Sequence, residues 1–338
     1  MNTIDNKPAT MQALSSDRNK QQLRELSQVK TQPDNKRLTV NLAGLKLANP
    51  TMLASGILGY TAHTLLSVEK AGAAALTTKS IGFIPRAGYP NPTVVNIECG
   101  ILNAMGLPNP GIDIFAQEIR ESKALLRVPL VVSMYGFSEQ EYAAIAKKAT
   151  GAGADALELN VSCPHVKETG SEIGQNPQTL SKVVKAVKAK VDKPVFVKLS
   201  PNVTSIVEIA EAAEKAGADA LTVANTVRAM AIDIETATPI LGNRVGGLSG
   251  TAIKPIAVRC VYDVYENVDV PIVGCGGVTS WQDAIEFVLA GASAIQIGSG
   301  IASKGIGIFR NVSKGIDAYL QKKGFRSVNE IVGLSHRK

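Results

Sequence analysis

A thiol follows an apolar strand pattern in the run NVSCPH at positions 160–165. A cysteine becomes a usable base where nearby cations or polar groups lower the pKa of its thiol. Cys163 lies just past the predicted strand and before a proline, on a loop, and we interpret it as a proton-transferring residue. Cys260 and Cys275 lie within helix and strand patterns and are typical of inert buried thiols, whereas Cys99 fits either role.

Two lysines end aliphatic strand patterns, Lys79 after AALTT and Lys198 within VFVKLS. A solvent-facing strand end is one interpretation of such a lysine. A Schiff-base lysine is another, but barrel aldolases generally pair it with acidic groups that are missing from these strand ends. The pattern therefore favours cations that stabilise negative charge on a reduced isoalloxazine ring or on an anionic substrate.

Glycines and amides follow other predicted strands. Gly276-Gly277 and Gly298-Ser299 end the last two strand patterns, where backbone N–H groups of a barrel commonly bind phosphate. Asn160 and Asn225-Thr226 end two others. Hydrolytic barrels usually carry paired carboxylates or metal-ligating histidines at such positions, and neither occurs here. The set indicates a phosphate-bearing cofactor beside a polar substrate.

The residues that carry this chemistry must be positioned by alternating strands and helices. Eight short apolar runs span 50–55, 74–80, 129–136, 156–162, 195–200, 220–225, 271–277 and 294–300. Several helical segments between them end in Ala-Gly-Ala, and a glycine past a helix C-terminus permits the left-handed turn that releases the chain. Eight such units predict an α/β protein with a (β/α)8 barrel, also called a TIM barrel; an open doubly wound sheet is the alternative.

Three segments lie outside the repeated units. Residues 38–50 alternate around a central Ala-Gly, which predicts a β-hairpin that closes the bottom of the barrel. Residues 81–111, rich in Gly and Pro, form an insertion that we expect over the catalytic end. Residues 1–36 are polar and predict a flexible N-terminal arm with too few large apolar residues for a membrane-surface helix, so residues 37–338 form the predicted barrel domain.

Composition excludes several classes of protein. The formal charge is +7, of which +3 comes from the first 37 residues (seven Lys or Arg minus four Asp or Glu). The rest of the chain has no basic cluster interleaved with aromatic residues, which argues against a dedicated nucleic-acid-binding face. Three histidines and no C-x-x-C pair argue against a transition-metal site. Without a long apolar run or the apolar segment of a signal peptide, the sequence predicts a cytoplasmic protein.

Five motifs carry a resemblance to a known family: ELNVSCPH, VKLSPNVT, GLSGTAIKP, GCGGV and ILNAMGLPNPG. Together they resemble the dihydroorotate dehydrogenases of the soluble class 1, and within it the 1B and archaeal catalytic subunits. The likeness covers about residues 38–338, including the closing VNEIVGLSH. The motifs are specific jointly, although each alone is not.

The resemblance implies an FMN enzyme that oxidises (S)-dihydroorotate to orotate in pyrimidine synthesis. It implies that Cys163 takes a proton from C5 of the dihydropyrimidine while hydride passes from C6 to flavin N5. The residues that would contact FMN are Ala54, Ser55, Lys79, Ser80, Asn160, Lys198, Gly250, Gly276, Gly277, Gly298 and Ser299. Those that would hold the substrate are Lys79, Asn103, Met105, Gly106, Leu107, Asn160, Asn225 and Thr226. Asparagine side chains suit the amide edges of orotate, because they offer both donors and acceptors.

One residue departs from the family pattern. His165 stands where most dihydroorotate dehydrogenases have Asn after Cys-Pro. The same Ser-Cys-Pro-His occurs in the flavin domain of dihydropyrimidine dehydrogenase, so reduction of uracil or thymine is the alternative activity. ILNAMGLPNPG resembles the orotate-binding loop and has no close counterpart in the uracil enzyme, which favours dihydroorotate. A cysteine base and a polar N-terminal arm argue against the membrane-bound class 2.

The electron acceptor is left open by the sequence. The chain has neither a cysteine cluster for iron–sulfur nor a dinucleotide-binding fingerprint. The resemblance implies either a separate FAD and iron–sulfur subunit, as in class 1B, or a soluble oxidant such as fumarate, together with a homo-oligomeric state. A non-catalytic barrel that binds a protein or nucleic acid is disfavoured by the lysines, asparagines and thiol at the strand ends.

Overall fold

The computed structural model describes residues 36–162 and 173–337. Its strands are β1 (Val40–Leu42), β2 (Leu45–Leu47), β3 (Thr51–Leu53), β4 (Ala75–Thr77), β5 (Val94–Ile97), β6 (Gly100–Asn103), β7 (Leu130–Met134), β8 (Ala156–Asn160), β9 (Val195–Leu199), β10 (Ala220–Val223), β11 (Val227–Ala229), β12 (Ile232–Asp233), β13 (Thr238–Pro239), β14 (Gly246–Ser249), β15 (Ile272–Cys275) and β16 (Ala292–Ile297). Its α-helices are α1 (Ala62–Lys70), α2 (Ile112–Leu125), α3 (Glu139–Gly151), α4 (Pro177–Lys188), α5 (Ile206–Lys215), α6 (Lys254–Tyr265), α7 (Trp281–Leu289), α8 (Gly300–Lys304) and α9 (Ile308–Lys323).

Eight parallel strands close into a barrel in the order β3, β4, β7, β8, β9, β10, β15, β16 and back to β3. Each contains or overlaps one of the eight apolar runs, so the predicted (β/α)8 barrel is confirmed. The helices pack outside the strands and cover their apolar faces. Because parallel strands are buried on both sides, they are rich in Val, Ile and Leu, and β7 and β9 have no exposed residue at all.

The predicted hairpin at residues 38–50 is also confirmed. β1 and β2 pair antiparallel around Ala43 and Gly44, both of which have a positive φ. Leu42 and Leu47 are fully buried, and β1 lies against β16. The hairpin therefore adds apolar surface to the barrel domain.

Glycines end the helices at the predicted points. Gly153, Gly217 and Gly291 have φ values of 112°, 102° and 122°. Each follows a helix by a few residues and precedes a barrel strand, where a residue with a side chain would be strained. The turn from helix to the next strand therefore depends on this residue type.

Two excursions from the barrel form a second sheet. β5 and β6 lie in the predicted insertion after β4, whereas β11 and β14 lie in a second insertion after β10, which the sequence pattern does not reveal. They pair antiparallel in the order β11, β14, β6, β5, and we call this the cap sheet. Leu102, Ala104 and Leu241 form its small buried core. Both insertions leave the barrel at carboxyl ends of its strands.

No helix in the described ranges is long and apolar enough to cross a membrane. The predicted N-terminal arm lies outside the described residues, except for its last residue, Lys36. The boundary at residue 37 therefore stays a prediction.

We expect Gly291→Ala to lower the free energy of unfolding by about 3 kcal/mol, because it combines backbone strain with overpacking. The added methyl carbon would lie 2.2 Å from Cγ of Tyr265 on α6. Gly151→Ala is the matched control, since nothing lies within 4 Å of its added carbon and the residue ends α3 on the exposed side. Unfolding by heat and by urea measures both variants, and equal stability of the two would contradict this account.

Candidate active site

Polar side chains from four barrel strands meet at the carboxyl ends of those strands. The Ser55 hydroxyl lies 3.2 Å from the Ser80 hydroxyl, which accepts a hydrogen bond from Asn160 Nδ2 at 3.2 Å. Asn160 Oδ1 in turn accepts a hydrogen bond from Asn225 Nδ2 at 3.2 Å. These four residues, which we call the rim chain, lie at the carboxyl ends of β3, β4, β8 and β10. The structure thus brings together residues that are 170 positions apart (225 − 55).

Neighbouring groups fix the rim chain. The Ser133 hydroxyl on β7 lies 2.9 Å from that of Ser80, and the Tyr142 hydroxyl on α3 donates to the Asn160 carbonyl oxygen at 2.8 Å. Asn225 Oδ1 accepts a hydrogen bond from the backbone N–H of Thr226 at 2.8 Å. Since both asparagines are held by these contacts, their remaining donors and acceptors have defined directions.

The cap sheet brings Asn103 to the same end of the barrel. Asn103 Nδ2 donates to the Gly247 carbonyl oxygen at 3.2 Å, which joins β6 to β14. Gly247 packs against Thr226 so closely that a methyl carbon added to it would lie 2.1 Å from Thr226 Oγ1. Asn103 and Thr226 therefore flank one glycine, next to the Asn225 end of the rim chain.

The segment Met105–Leu107 is held by other contacts. The Gly106 carbonyl oxygen accepts a hydrogen bond from Arg86 Nε at 2.8 Å, and the Leu107 carbonyl oxygen accepts one from Asn109 Nδ2 at 2.9 Å. Asn109 Nδ2 also donates to the hydroxyl of Tyr135, the residue after β7, at 2.7 Å. The segment is therefore tied to the carboxyl end of β7, although no hydrogen bond joins it to the rim chain within the described residues.

Lys79 lies beside the rim chain, between Thr78 and Ser80. Its backbone N–H donates to the Gly59 carbonyl oxygen at 2.9 Å, whereas no described residue pairs with its ammonium group. Burial lowers the pKa of Lys79, because removing a cation from water favours its neutral form. A half-buried cation without a described partner is suited to an anionic ligand.

Lys198 lies deeper, inside the barrel, with 6% of its surface exposed. Nζ donates to Gln296 Oε1 at 3.0 Å and lies 3.9 Å from Glu158 Oε1. Burial acts to lower the pKa of Lys198, but a hydrogen bond with the sulfur of Cys275 and the charge of the Glu158 carboxylate act to raise it, and the pKa is raised overall. The Cys275 thiol has a raised pKa because it is buried. Lys198 is therefore a cation at neutral pH.

The predicted phosphate site is built from three glycine-containing turns. Gly250, Gly276 and Gly277 have φ values of 108°, 135° and 74°, and a methyl carbon added to Gly277 would lie 2.7 Å from the Gly250 carbonyl oxygen. Gly298 packs against Ala54, because a methyl carbon added to Gly298 would lie 3.3 Å from the methyl carbon of Ala54. No hydrogen bond within the described chain uses the N–H groups of Gly277 or Ser299. The turns therefore leave donors for an anion.

The predicted roles of the cysteines and of His165 do not depend on these contacts. Cys163 and His165 lie outside the described residues; Ser162, which precedes them, has its N–H 3.3 Å from Asn160 Oδ1. Cys260 is buried and Cys99 is exposed. Among the residues described, no group of three or more His, Cys, Asp or Glu is arranged to hold a metal ion.

Sequence reasoning missed the polar residues beneath the rim chain. Glu158 lies two residues before Asn160, and Gln296 lies two residues before Gly298. Because side chains alternate along a strand, each shares the inward face of a predicted site residue. A charged or amide side chain in an otherwise apolar buried strand was the available signal.

Comparisons with known proteins identify the family. The family model described as dihydroorotate dehydrogenase matches residues 37–320. The chain is 51% identical over 298 residues to dihydroorotate dehydrogenase B (NAD(+)), catalytic subunit, of Pyrococcus abyssi, covering 88% of this chain and 99% of that protein. It is 49% identical over 300 residues to the protein of the same name from Methanosarcina mazei, covering 88% and 95%. For Methanocaldococcus jannaschii the values are 51% over 302 residues, 88% and 98%. The chain belongs to the dihydroorotate dehydrogenase family of oxidoreductases.

Proposed function

We propose that this chain oxidises (S)-dihydroorotate to orotate, with FMN as its bound cofactor, in pyrimidine synthesis. The observation that carries the proposal is the rim chain, in which Asn160 and Asn225 are held at the mouth of the barrel beside the cation of Lys79. The family membership and the names of the relatives support the same reaction.

The residues at the barrel mouth fit FMN. The turns at Gly250, Gly276-Gly277 and Gly298-Ser299 suit its phosphate, because backbone N–H donors remain there that no described residue uses. Ala54, Ser55 and Ser80 would line the ring beside them. Lys198 supplies a buried positive charge where a reduced flavin would carry negative charge. When bound, FMN supplies the acceptor for the hydride that leaves C6.

The substrate is assigned to the rim chain and its neighbours. The side chains of Asn103, Asn160 and Asn225 offer donors and acceptors that match the amide edges of dihydroorotate. Its carboxylate would bind the Lys79 ammonium and the backbone N–H groups of Gly106 and Leu107. The Thr226 hydroxyl lies beside Asn103 through Gly247 and completes the set.

Cys163 is the proposed base. It would take the C5 proton as a thiolate, and the electron pair of that C–H bond forms the C5=C6 double bond as hydride leaves C6. Ser162, its neighbour in the chain, lies next to Asn160. A serine at position 163 would be a much weaker base, because a hydroxyl ionises far less readily than a thiol.

A second activity is favoured by one feature, His165 in the run SCPH. That run supports reduction of uracil or thymine, as in dihydropyrimidine dehydrogenase. The segment ILNAMGLPNPG at 101–111 supports dihydroorotate instead, and its tie to β7 through Asn109 and Tyr135 places the segment at the carboxyl end of a barrel strand. Substrate tests separate the two.

The electron acceptor is proposed to be a separate subunit. The relatives are named catalytic subunits of an NAD(+) enzyme, which supports an FAD and iron–sulfur partner for this chain. Transfer to fumarate or another soluble oxidant is the alternative. Co-purification of a second, iron-containing chain from the cytoplasm of the native cell would decide between them.

We expect the purified chain to be yellow and to show the absorption spectrum of oxidised flavin. Dihydroorotate added without oxygen should bleach that spectrum, whereas dihydrouracil should bleach it at least tenfold more slowly, because dihydrouracil lacks the carboxylate that Lys79 would bind. Stopped-flow absorbance measures both rates. Equal rates would favour the uracil activity, and a colourless chain that does not take up FMN would contradict both.

Cys163→Ala should slow flavin reduction by dihydroorotate at least a hundredfold while FMN stays bound, since removal of a general base costs about 10² to 10⁴ in rate. Cys163→Ser should retain a slow reaction that speeds up with rising pH. Cys99→Ala, on an exposed thiol, is the matched control and should reduce at the wild-type rate. A near wild-type rate for Cys163→Ala over the whole pH range would show that the base is another group.

Lys79 makes orotate affinity sensitive to pH. Its pKa is lowered by burial, so the cation that binds the carboxylate is lost at a lower pH than for an exposed lysine, and affinity should fall as pH rises through that lowered pKa. Lys79→Met should weaken orotate binding by about tenfold to a hundredfold and abolish this pH dependence, whereas Lys79→Arg should keep binding to high pH. Titration of the flavin spectrum with orotate measures each affinity. An unchanged pH profile in Lys79→Met would refute the role of Lys79.

A further inference from the structure

A carboxylate lies one layer below the rim chain, in the interior of the barrel. Glu158 has no exposed surface and shares the inward face of β8 with Asn160. Its Oε2 accepts hydrogen bonds from Thr222 Oγ1 at 3.0 Å and Gln296 Nε2 at 2.5 Å. Its Oε1 has no hydrogen-bond partner among the described residues and lies 3.9 Å from Lys198 Nζ.

Glu158 is the carboxylate that lies beside the Lys198 ammonium group. Among the described residues, the titratable groups next to Lys198 are Glu158 from β8 and Cys275 from β15, whereas Thr222 and Gln296 are neutral. Burial raises the pKa of the Cys275 thiol, which therefore stays uncharged at neutral pH. Within the described chain, Glu158 is thus the one carboxylate that compensates the buried ammonium group.

Gln296 joins the two charged groups. Its amide oxygen accepts from Lys198 while its amide nitrogen donates to Glu158 and lies 3.4 Å from Thr77 Oγ1. The amide orientation is therefore set by opposite charges on its two sides. This arrangement spans β4, β8, β9, β10 and β16, so it is part of the barrel interior and not of a loop.

We propose that Glu158 is a positioning residue that keeps Lys198 protonated and held toward the cofactor, so that a bound flavin meets a constant positive charge across neutral pH. The part of this inference that concerns the flavin rests on the proposed function. Without the carboxylate, the ammonium of Lys198 would be buried with only neutral partners, and it would lose its proton at a lower pH. Loss of that charge would disfavour the reduced, anionic form of a flavin.

The first test needs no cofactor. The thermal unfolding midpoint of the full-length chain, freed of flavin, is measured from about pH 6 to pH 9 for wild type, Glu158→Gln and the double variant Glu158→Gln/Lys198→Met. In Glu158→Gln, folding opposes the proton on Lys198, so its folded pKa lies below its unfolded one and stability rises with pH through that interval. The midpoint of the double variant should not show this rise, because methionine does not titrate.

The second test uses the flavin as a reporter of the charge. Sulfite adds to oxidised flavin and binds more tightly near a positive charge. Its dissociation constant is measured by absorbance at each pH and divided by the wild-type value at the same pH. This ratio cancels the titration of sulfite itself. For Glu158→Gln this ratio should rise by about tenfold per pH unit above the lowered pKa of Lys198. Gln296→Met, which removes the joining amide and leaves both charges, should give a ratio that does not change with pH.

The outcomes distinguish the charge pairing of Glu158 with Lys198 from the effect of that charge on the flavin. The inference would be overturned if the unfolding midpoint of Glu158→Gln depended on pH in the same way as that of the double variant. It would also be overturned if the sulfite ratio of Gln296→Met rose with pH as that of Glu158→Gln does. A rising midpoint with an unchanging sulfite ratio would retain the charge pairing but overturn its action on the cofactor. A colourless chain would contradict the proposed function alone, since the first test still applies.

Failure of Glu158→Gln to fold is also informative. If the double variant folds where Glu158→Gln does not, the uncompensated Lys198 cation is the cause, which supports the inference. If neither variant folds, the wild-type chain provides the test. Its sulfite affinity, corrected for the titration of sulfite, should stay constant up to about pH 9. A decrease in that affinity below pH 9 that follows the loss of one proton would overturn the proposal.

Discussion

Closure of the parallel barrel is the constraint on which every other feature of this protein depends. Each of the eight strands must hydrogen-bond to a neighbour on both sides, and all eight run in the same direction. Their carboxyl ends consequently meet on one rim. Side chains that the sequence scatters from Ser55 to Asn225 are thereby gathered within hydrogen-bonding reach of one another.

The barrel interior supports that rim with charge as well as with packing. A buried glutamate and a buried lysine would each be costly alone, and together they are tolerated because their charges oppose and because Gln296 and Thr222 hydrogen-bond to them. Replacing the pair by apolar residues would not necessarily weaken the fold. In the role proposed for Glu158, the fixed cation serves the chemistry at the rim and not the stability of the fold.

The cap sheet adds what the barrel alone does not supply. Asn103 and Thr226 belong to different excursions, after β4 and after β10, and only the antiparallel pairing of β6 with β14 places them on either side of Gly247. In the proposed function, the substrate lies between this sheet and the rim chain and is shielded from water. Polar contacts to it would therefore be stronger than in an open cleft.

The sequence by itself determined the barrel and most of the residues at its mouth. Apolar runs of strand length, helices between them and glycines after those helices are local features, and the rule that parallel strands share one carboxyl end converts them into positions in space. Only the tertiary structure decided which of those residues touch. It paired two distant insertions into one sheet, left Lys79 half-buried without a described partner, and placed Glu158 beneath Lys198. Such contacts depend on the register between strands and on side-chain direction inside a closed barrel, and neither is written in any short stretch of the chain.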